Sequence, residues 1–163
     1  MIICIDVYYK ESGTKTCGVI FNEWNQQDPD QVLTLEDTTI ENEYEPGNFY
    51  KRELPPIKKF LEHYNLQPDI LIVDGFVWLK EIEGEIRPGL GQHIQEELPE
   101  ITIIGVAKSN YCRSNEISAQ ITRGESKKPL FVQPIEYGEK IKNMYGDFRI
   151  PRMLKIMDQE TKK

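Results

Sequence analysis

A mixed α/β sheet with helices packed on it is the fold class this sequence predicts, on three observations. Three strand patterns follow one another at the start: MIICIDVYYK (1–10), TKTCGVIFNEW (14–24) and QVLTLEDTTI (31–40). Two unbroken apolar runs come later, DILIVDGFVWL (69–79) and ITIIGVAK (101–108), as expected of strands covered on both faces. Helical spacing separates and follows these runs, which gives the order βββ–α–β–α–β–α.

The elements are justified in turn. Glu11-Ser12-Gly13 and the stretch NQQDPD (25–30) are turn signals, so the first three strands read as an antiparallel meander. ENEYEPGNFY (41–50) is loop-like, with Pro46-Gly47 as its turn. Ile57, Phe60, Leu61 and Tyr64 recur at intervals of three and four and predict a helix. Pro55 and Pro56 suit its first turn, where missing N–H groups cost little. GLGQHIQEEL (89–98) reads as a short helix, and residues 110–130 as polar loop. Residues 136–160 read as one or two helices interrupted near Gly146 and Pro151.

The chain has 163 residues, which suits one domain spanning 1–163. No apolar stretch approaches the roughly 18 to 20 residues that cross a bilayer, and the apolar start is too short, and carries Asp6, for a signal peptide. Cys4, Cys17 and Cys112 are odd in number and lack a CxxC pair, which favours a reducing cytoplasm over disulfides or structural zinc. Charge is uneven. Residues 1–107 hold 8 Lys+Arg against 20 Asp+Glu (−12), and residues 108–163 hold 12 against 7 (+5), together the net −7. The C-terminal third is thus suited to meet phosphates.

Asp6 and Asp74 sit inside apolar runs, where a carboxylate is costly unless it is paired, hydrogen-bonded or metal-bound. Glu53 stands at the entry to the first helix. Three acids from separate elements that converge at one sheet edge predict a divalent-cation site and phosphodiester chemistry, with magnesium, which prefers hard oxygen ligands, as the ion and no nucleotide cofactor.

Four motifs in order carry a resemblance. They are Asp6 on the first strand, Tyr44-Glu45-Pro46-Gly47 running into Arg52-Glu53-Leu54-Pro55, Asp74-Gly75 at a strand end, and Gly105-Val106-Ala107-Lys108. PLFV (129–132) and FRIPRMLKIMD (148–158) extend it. The chain resembles a short, divergent member of the endonuclease V family. That resemblance implies a ribonuclease H-like fold and a metal-dependent nuclease of DNA repair that nicks DNA 3′ to deaminated purines such as hypoxanthine. Inosine in RNA is a further substrate of the same chemistry. It further implies Asp6, Glu53 and Asp74 as metal-binding acids and Lys108 beside the scissile phosphate. Tyr44 and Pro46 match the loop that parts the strands; Arg52 belongs to the same motif, and Gly47 and Gly75 let backbone approach the displaced base.

The pattern departs in places. Glu45 stands where the family loop is apolar, Arg87-Pro88 where His-Pro is expected, and QPIEYGEK (133–140) where a Gly-His or Gly-Asn segment supplies a fourth residue near the metals. Glu136 or Glu139 is the expected substitute. The departures motivate two rivals: a nuclease of the same fold with a different structured substrate, and a non-catalytic nucleic-acid-binding pseudoenzyme.

Overall fold

In the first strand, β1 (Ile2–Lys10), side chains of alternate parity enter two separate cores, and this sets the layers of the molecule. The computed structural model describes residues 1–38 and 50–163. β1 pairs antiparallel with β2 (Gly13–Phe21), and β2 with β3 (Gln31–Asp37), which forms the expected meander. On its other side β1 pairs in parallel with β4 (Ile70–Asp74), which in turn pairs in parallel with β7 (Thr102–Ala107). Two antiparallel strands, β9 (Leu130–Gln133) and then β8 (Ala119–Ile121), complete a seven-stranded sheet in the order β3-β2-β1-β4-β7-β9-β8.

Helices cover both faces. Ile3, Ile5 and Val7 meet Ile57, Phe60 and Leu61 of α1 (Tyr50–His63) and Ile94 of α2 (Leu90–Glu97). Ile2 and Cys4 meet Ile141 of α3 (Gly138–Lys142) and Met153, Leu154 and Met157 of α4 (Arg152–Thr161). Asp6 shares the parity of Cys4, and Asp74 that of Ile72, so both acids belong to the α4 face. No helix among the described residues is long and apolar enough to cross a membrane.

Three local expectations are corrected. The apolar run 69–79 is not one strand. It stops at Asp74, turns at Gly75 with φ +137°, and resumes as a separate two-stranded hairpin of β5 (Trp78–Lys80) and β6 (Ile86–Pro88). The buried amide of Gln133 holds the new direction: its Oε1 accepts from the N–H groups of Val77 (2.9 Å) and Trp78 (2.7 Å). Its Nε2 donates to the Trp78 carbonyl (3.0 Å) and the Ser118 hydroxyl (2.9 Å). Residues 110–130, read as loop, contain a 3₁₀ turn at Ser114–Ile117 as well as β8.

The third correction concerns Pro55 and Pro56. The helix starts at Tyr50, so both prolines lie inside it rather than in its first turn. Pro56 has no N–H to give to the carbonyl of Arg52, four residues earlier. That carbonyl accepts instead from the Tyr9 hydroxyl at 2.8 Å, and the Arg52 guanidinium lies 3.6 Å above the Tyr9 ring. A bond removed from the helix therefore reappears as a link between α1 and β1.

Replacing Gln133 with leucine leaves the buried Val77 N–H without its acceptor and that of Trp78 likewise. The expected loss is about 2 kcal/mol or more, read as a lower urea midpoint at unchanged m-value.

Candidate active site

β1 and β4 run side by side only as far as Ile5 and Val73, and the next residue on each is Asp6 and Asp74. The two carboxylates therefore stand at the C-terminal edge of a parallel pair, where the ladder opens. α4 lies across this edge and adds Asp158. One carboxylate oxygen from each of Asp6, Asp74 and Asp158 lies within 4.8 Å of the others, the only such acidic group among the described residues. Glu53, only 5% exposed, approaches over the end of β1 from α1. It lines, with Asp6, Asp74, Tyr8, Tyr9 and Arg52, a cavity of about 440 Å³.

The backbone at this edge is tight. Gly75 N–H donates to the Val106 carbonyl at 3.1 Å, and a Cβ at position 105 would sit 2.4 Å from the Gly75 carbonyl oxygen. Gly105 is thus what allows β7 to close against the Asp74-Gly75 turn.

Burial and crowding dominate the electrostatics. Burial pushes the Asp6 carboxyl up to about 6; neighbouring Asp74 adds to the rise, and the Val7 N–H (2.9 Å to Oδ1) opposes it. Glu53 is pushed up to about 8 by burial and then by Asp6, while the Tyr9 hydroxyl and Arg52 act the other way. Asp74 is raised by burial, with Lys108 opposing. Lys108 is the local counter-charge. Its Nζ donates to Asp158 Oδ2 at 2.6 Å and lies 3.7 Å from Asp74 Oδ2. Burial alone would lower its pKa; the Asp158 and Asp74 contacts outweigh that and raise it. Arg149 fixes the same residue from behind through a hydrogen bond to the Lys108 carbonyl.

Clustered acids, with Asp6, Glu53 and Asp74 raised in pKa, oxygen donors only and an open cavity beside them suit a hard divalent cation.

The structure brings Asp6, Glu53, Asp74 and Lys108 to one sheet edge, with Arg52 and Gly75 at its rim. Tyr44, Pro46 and Gly47 lie outside the described residues. Glu136 and Glu139 are not brought in. Both are exposed, and Glu136 lines a different cavity beside Thr102 and Ile103 at the far end of β7. Asp158 stands where the substitute was sought. Its signal was present in the sequence: Met153, Leu154 and Met157 define the buried stripe of an amphipathic helix, and an acid at 158 falls on that stripe.

Comparison with known proteins adds three findings. The model of the Endonuclease V family matches residues 1–146. Among solved structures, Ciona intestinalis endonuclease V, in complex with a 23-mer DNA containing an inosine followed by a ribo-adenosine, superposes with a TM-score of 0.74 at 18% identity, covering 99% of this chain and 83% of that one. Human ENDOV gives 0.65 at 17% identity (99% and 82%), and the Bacillus subtilis endonuclease V 0.66 at 16% (99% and 78%). At these identities the likeness is one of fold, and that fold is ribonuclease H-like. No curated protein sequence matches the chain significantly.

The raised acids set a pH dependence in metal-free buffer. Glu53 holds its proton to about 8 when folded, against an ordinary value of 4.5. Between those values the folded chain binds the proton that the unfolded chain has lost, so stability is full below 4.5 and falls as pH rises through 8. Melting curves in EDTA are expected to show Tm falling from pH 5 to pH 8, with Glu53→Gln flattening the fall.

Proposed function

The chain belongs to the endonuclease V family and is a nuclease, and from that premise we propose a divalent-metal-dependent endonuclease of DNA repair. It nicks DNA 3′ to deaminated purines such as hypoxanthine, with inosine-containing RNA as a second substrate. The observation that carries this reading is the meeting of Asp6, Asp74 and Asp158 within 4.8 Å beside the Glu53 cavity. The inosine-containing DNA held by the Ciona relative supports the choice of lesion. All of 1–163 is taken as one catalytic unit, because α4 supplies Asp158 from beyond the matched residues. The free thiols Cys4, Cys17 and Cys112 support a cytoplasmic location.

Asp6, Asp74 and Asp158 would hold the ion or ions, with Glu53 adjoining. Bound magnesium or manganese supplies the positive charge that activates water and stabilises a leaving oxyanion. The remaining work falls to side chains already in place. Tyr9 and Arg52 hold the Glu53 turn against β1, which fixes the distance between Glu53 and Asp6. Lys108, one-third exposed, can turn its ammonium from the carboxylates to a phosphate oxygen and offset charge that grows there. Leu90 and Asp74 border the cavity where a displaced base would be read. Tyr44 and Pro46 are assigned to strand parting on the family motif.

The β5–β6 hairpin favours a second reading, a nuclease of this fold for another structured substrate. It occupies the segment after Asp74 and is tied down through Glu81, which accepts from Arg87 and Tyr111. A panel of inosine-containing, flapped and undamaged duplexes separates the two. Faster cutting of the inosine duplex supports lesion recognition, and equal cutting removes it.

In magnesium, Asp6→Asn, Asp74→Asn and Asp158→Asn are each expected to lower nicking of a deoxyinosine oligonucleotide by about two orders of magnitude. Glu136→Gln and Glu139→Gln should nick like the parent. Excess EDTA should stop the reaction and added manganese restore it. Full activity in Asp158→Asn would take α4 out of the site, and full activity in Asp74→Asn would remove the nuclease mechanism.

A further inference from the structure

The turn between α3 and α4 is held from the inside by two arginines. Arg123, 6% exposed, donates to the carbonyls of Lys142 (3.1 Å), Met144 (2.6 Å), Gly146 (3.0 Å) and Phe148. Arg149 donates to the carbonyls of Lys128 (3.1 Å), Pro129 (2.9 Å) and Lys108. The turn is also pressed against Gly124, where an added Cβ would lie 2.3 Å from the Asp147 carbonyl oxygen. Backbone fixed by so many bonds has little freedom left to fold a side chain inward.

Phe148 is nevertheless 78% exposed, the most exposed large apolar side chain among the described residues. A ring held in water contributes almost nothing to stability through burial. Rigid aromatic groups presented in this way are characteristic of binding anchors. Its surroundings indicate the chemistry of the occupant. Lys127 and Lys128 are exposed on the turn that Arg149 grips. Glu125 and Asp147 also face solvent there, so the exposed charges of the patch balance, two of each sign. Arg149, the next residue, is bonded to the carbonyl of the same Lys108 whose ammonium sits on Asp158. The turn that carries the ring is therefore tied, through Arg149 and Lys108, to the acidic cluster.

We propose that Phe148, flanked by Lys127 and Lys128, is a stacking platform for an unpaired base of the strand that passes the acidic cluster. Every base offers a π-face, so such a platform holds the strand without reading its sequence. The two lysines contribute phosphate contacts beside it. A base still stacked in a duplex has no free face to offer, so the platform selects single-stranded or frayed substrate on that side. The proposal rests on the nuclease reading for the identity of its ligand.

The test uses the full chain with calcium in place of magnesium and inosine-containing oligonucleotides that carry 2-aminopurine at successive positions around the inosine. Phe148→Ala is expected to weaken binding by roughly 10- to 100-fold, and Phe148→Trp to bind like the parent. One 2-aminopurine position should be quenched by the parent and by Phe148→Trp but not by Phe148→Ala. The double variant Lys127→Gln/Lys128→Gln should flatten the salt dependence of affinity by up to about two phosphate contacts, which keeps the test open if Phe148→Ala misfolds. Parent-like affinity and quenching in a folded Phe148→Ala overturns the platform. So does a parent dimer that becomes a monomer in Phe148→Ala with unchanged affinity, because the ring would then face a second copy. Nicking by the parent in magnesium is scored separately. Its absence alongside intact quenching removes the nuclease reading and leaves the binding site standing.

Discussion

The mutual repulsion of crowded, half-buried carboxylates is the constraint around which this molecule is arranged. Asp6 and Asp74 are forced together by a parallel strand pair that cannot separate them, and α4 adds Asp158 to the same spot. Such a group is unfavourable by itself. It persists because the sheet beneath is packed on both faces, with Ile72, Ile104 and Met157 on one side and Val73, Phe60 and Ile94 on the other. Lys108 offsets part of the charge, and the raised Asp6 and Glu53 carboxyls absorb more of it by keeping protons. A divalent cation would relieve the same repulsion, so the features that are unfavourable among the carboxylates alone are those that would favour a bound cation.

Around this centre, positions are fixed by hydrogen bonds that ordinary secondary structure does not supply. Gln133 reaches from β9 to turn the chain after Asp74. The Tyr9 hydroxyl takes up the carbonyl that Pro56 leaves open. Arg149 joins the last turn before α4 to the residue that neutralises the acids. Each is a single side chain linking two elements distant in sequence, which is how a small sheet holds several carboxylates in register.

Much of this was legible in the residues. Period-two alternation and unbroken apolar runs marked the strands, and Asp6 and Asp74 were conspicuous because acids are rare in such runs. The chain direction after Asp74 was not legible. Phe76, Val77 and Trp78 continue the apolar run, and only Gly75 at positive φ and a distant glutamine divert it. Prolines are ordinary first-turn residues, so Pro55 and Pro56 suggest a later helix start, and nothing local reveals that Tyr9 satisfies the Arg52 carbonyl. Sequence position points to the residues just after β9, whereas the sheet edge selects by space and takes Asp158 from α4. The helix stripe through Met153, Leu154 and Met157 placed an acid on the buried side, which is the same anomaly that had identified Asp6 and Asp74.

Lys108 has one more consequence. A site that carries its own internal cation does not require a metal in order to form, unlike small domains that are unfolded until zinc arrives. The scaffold would then mature in an ion-poor setting, and a metal held by Asp6, Asp74 and Asp158 would take over the charge balance that Lys108 supplies.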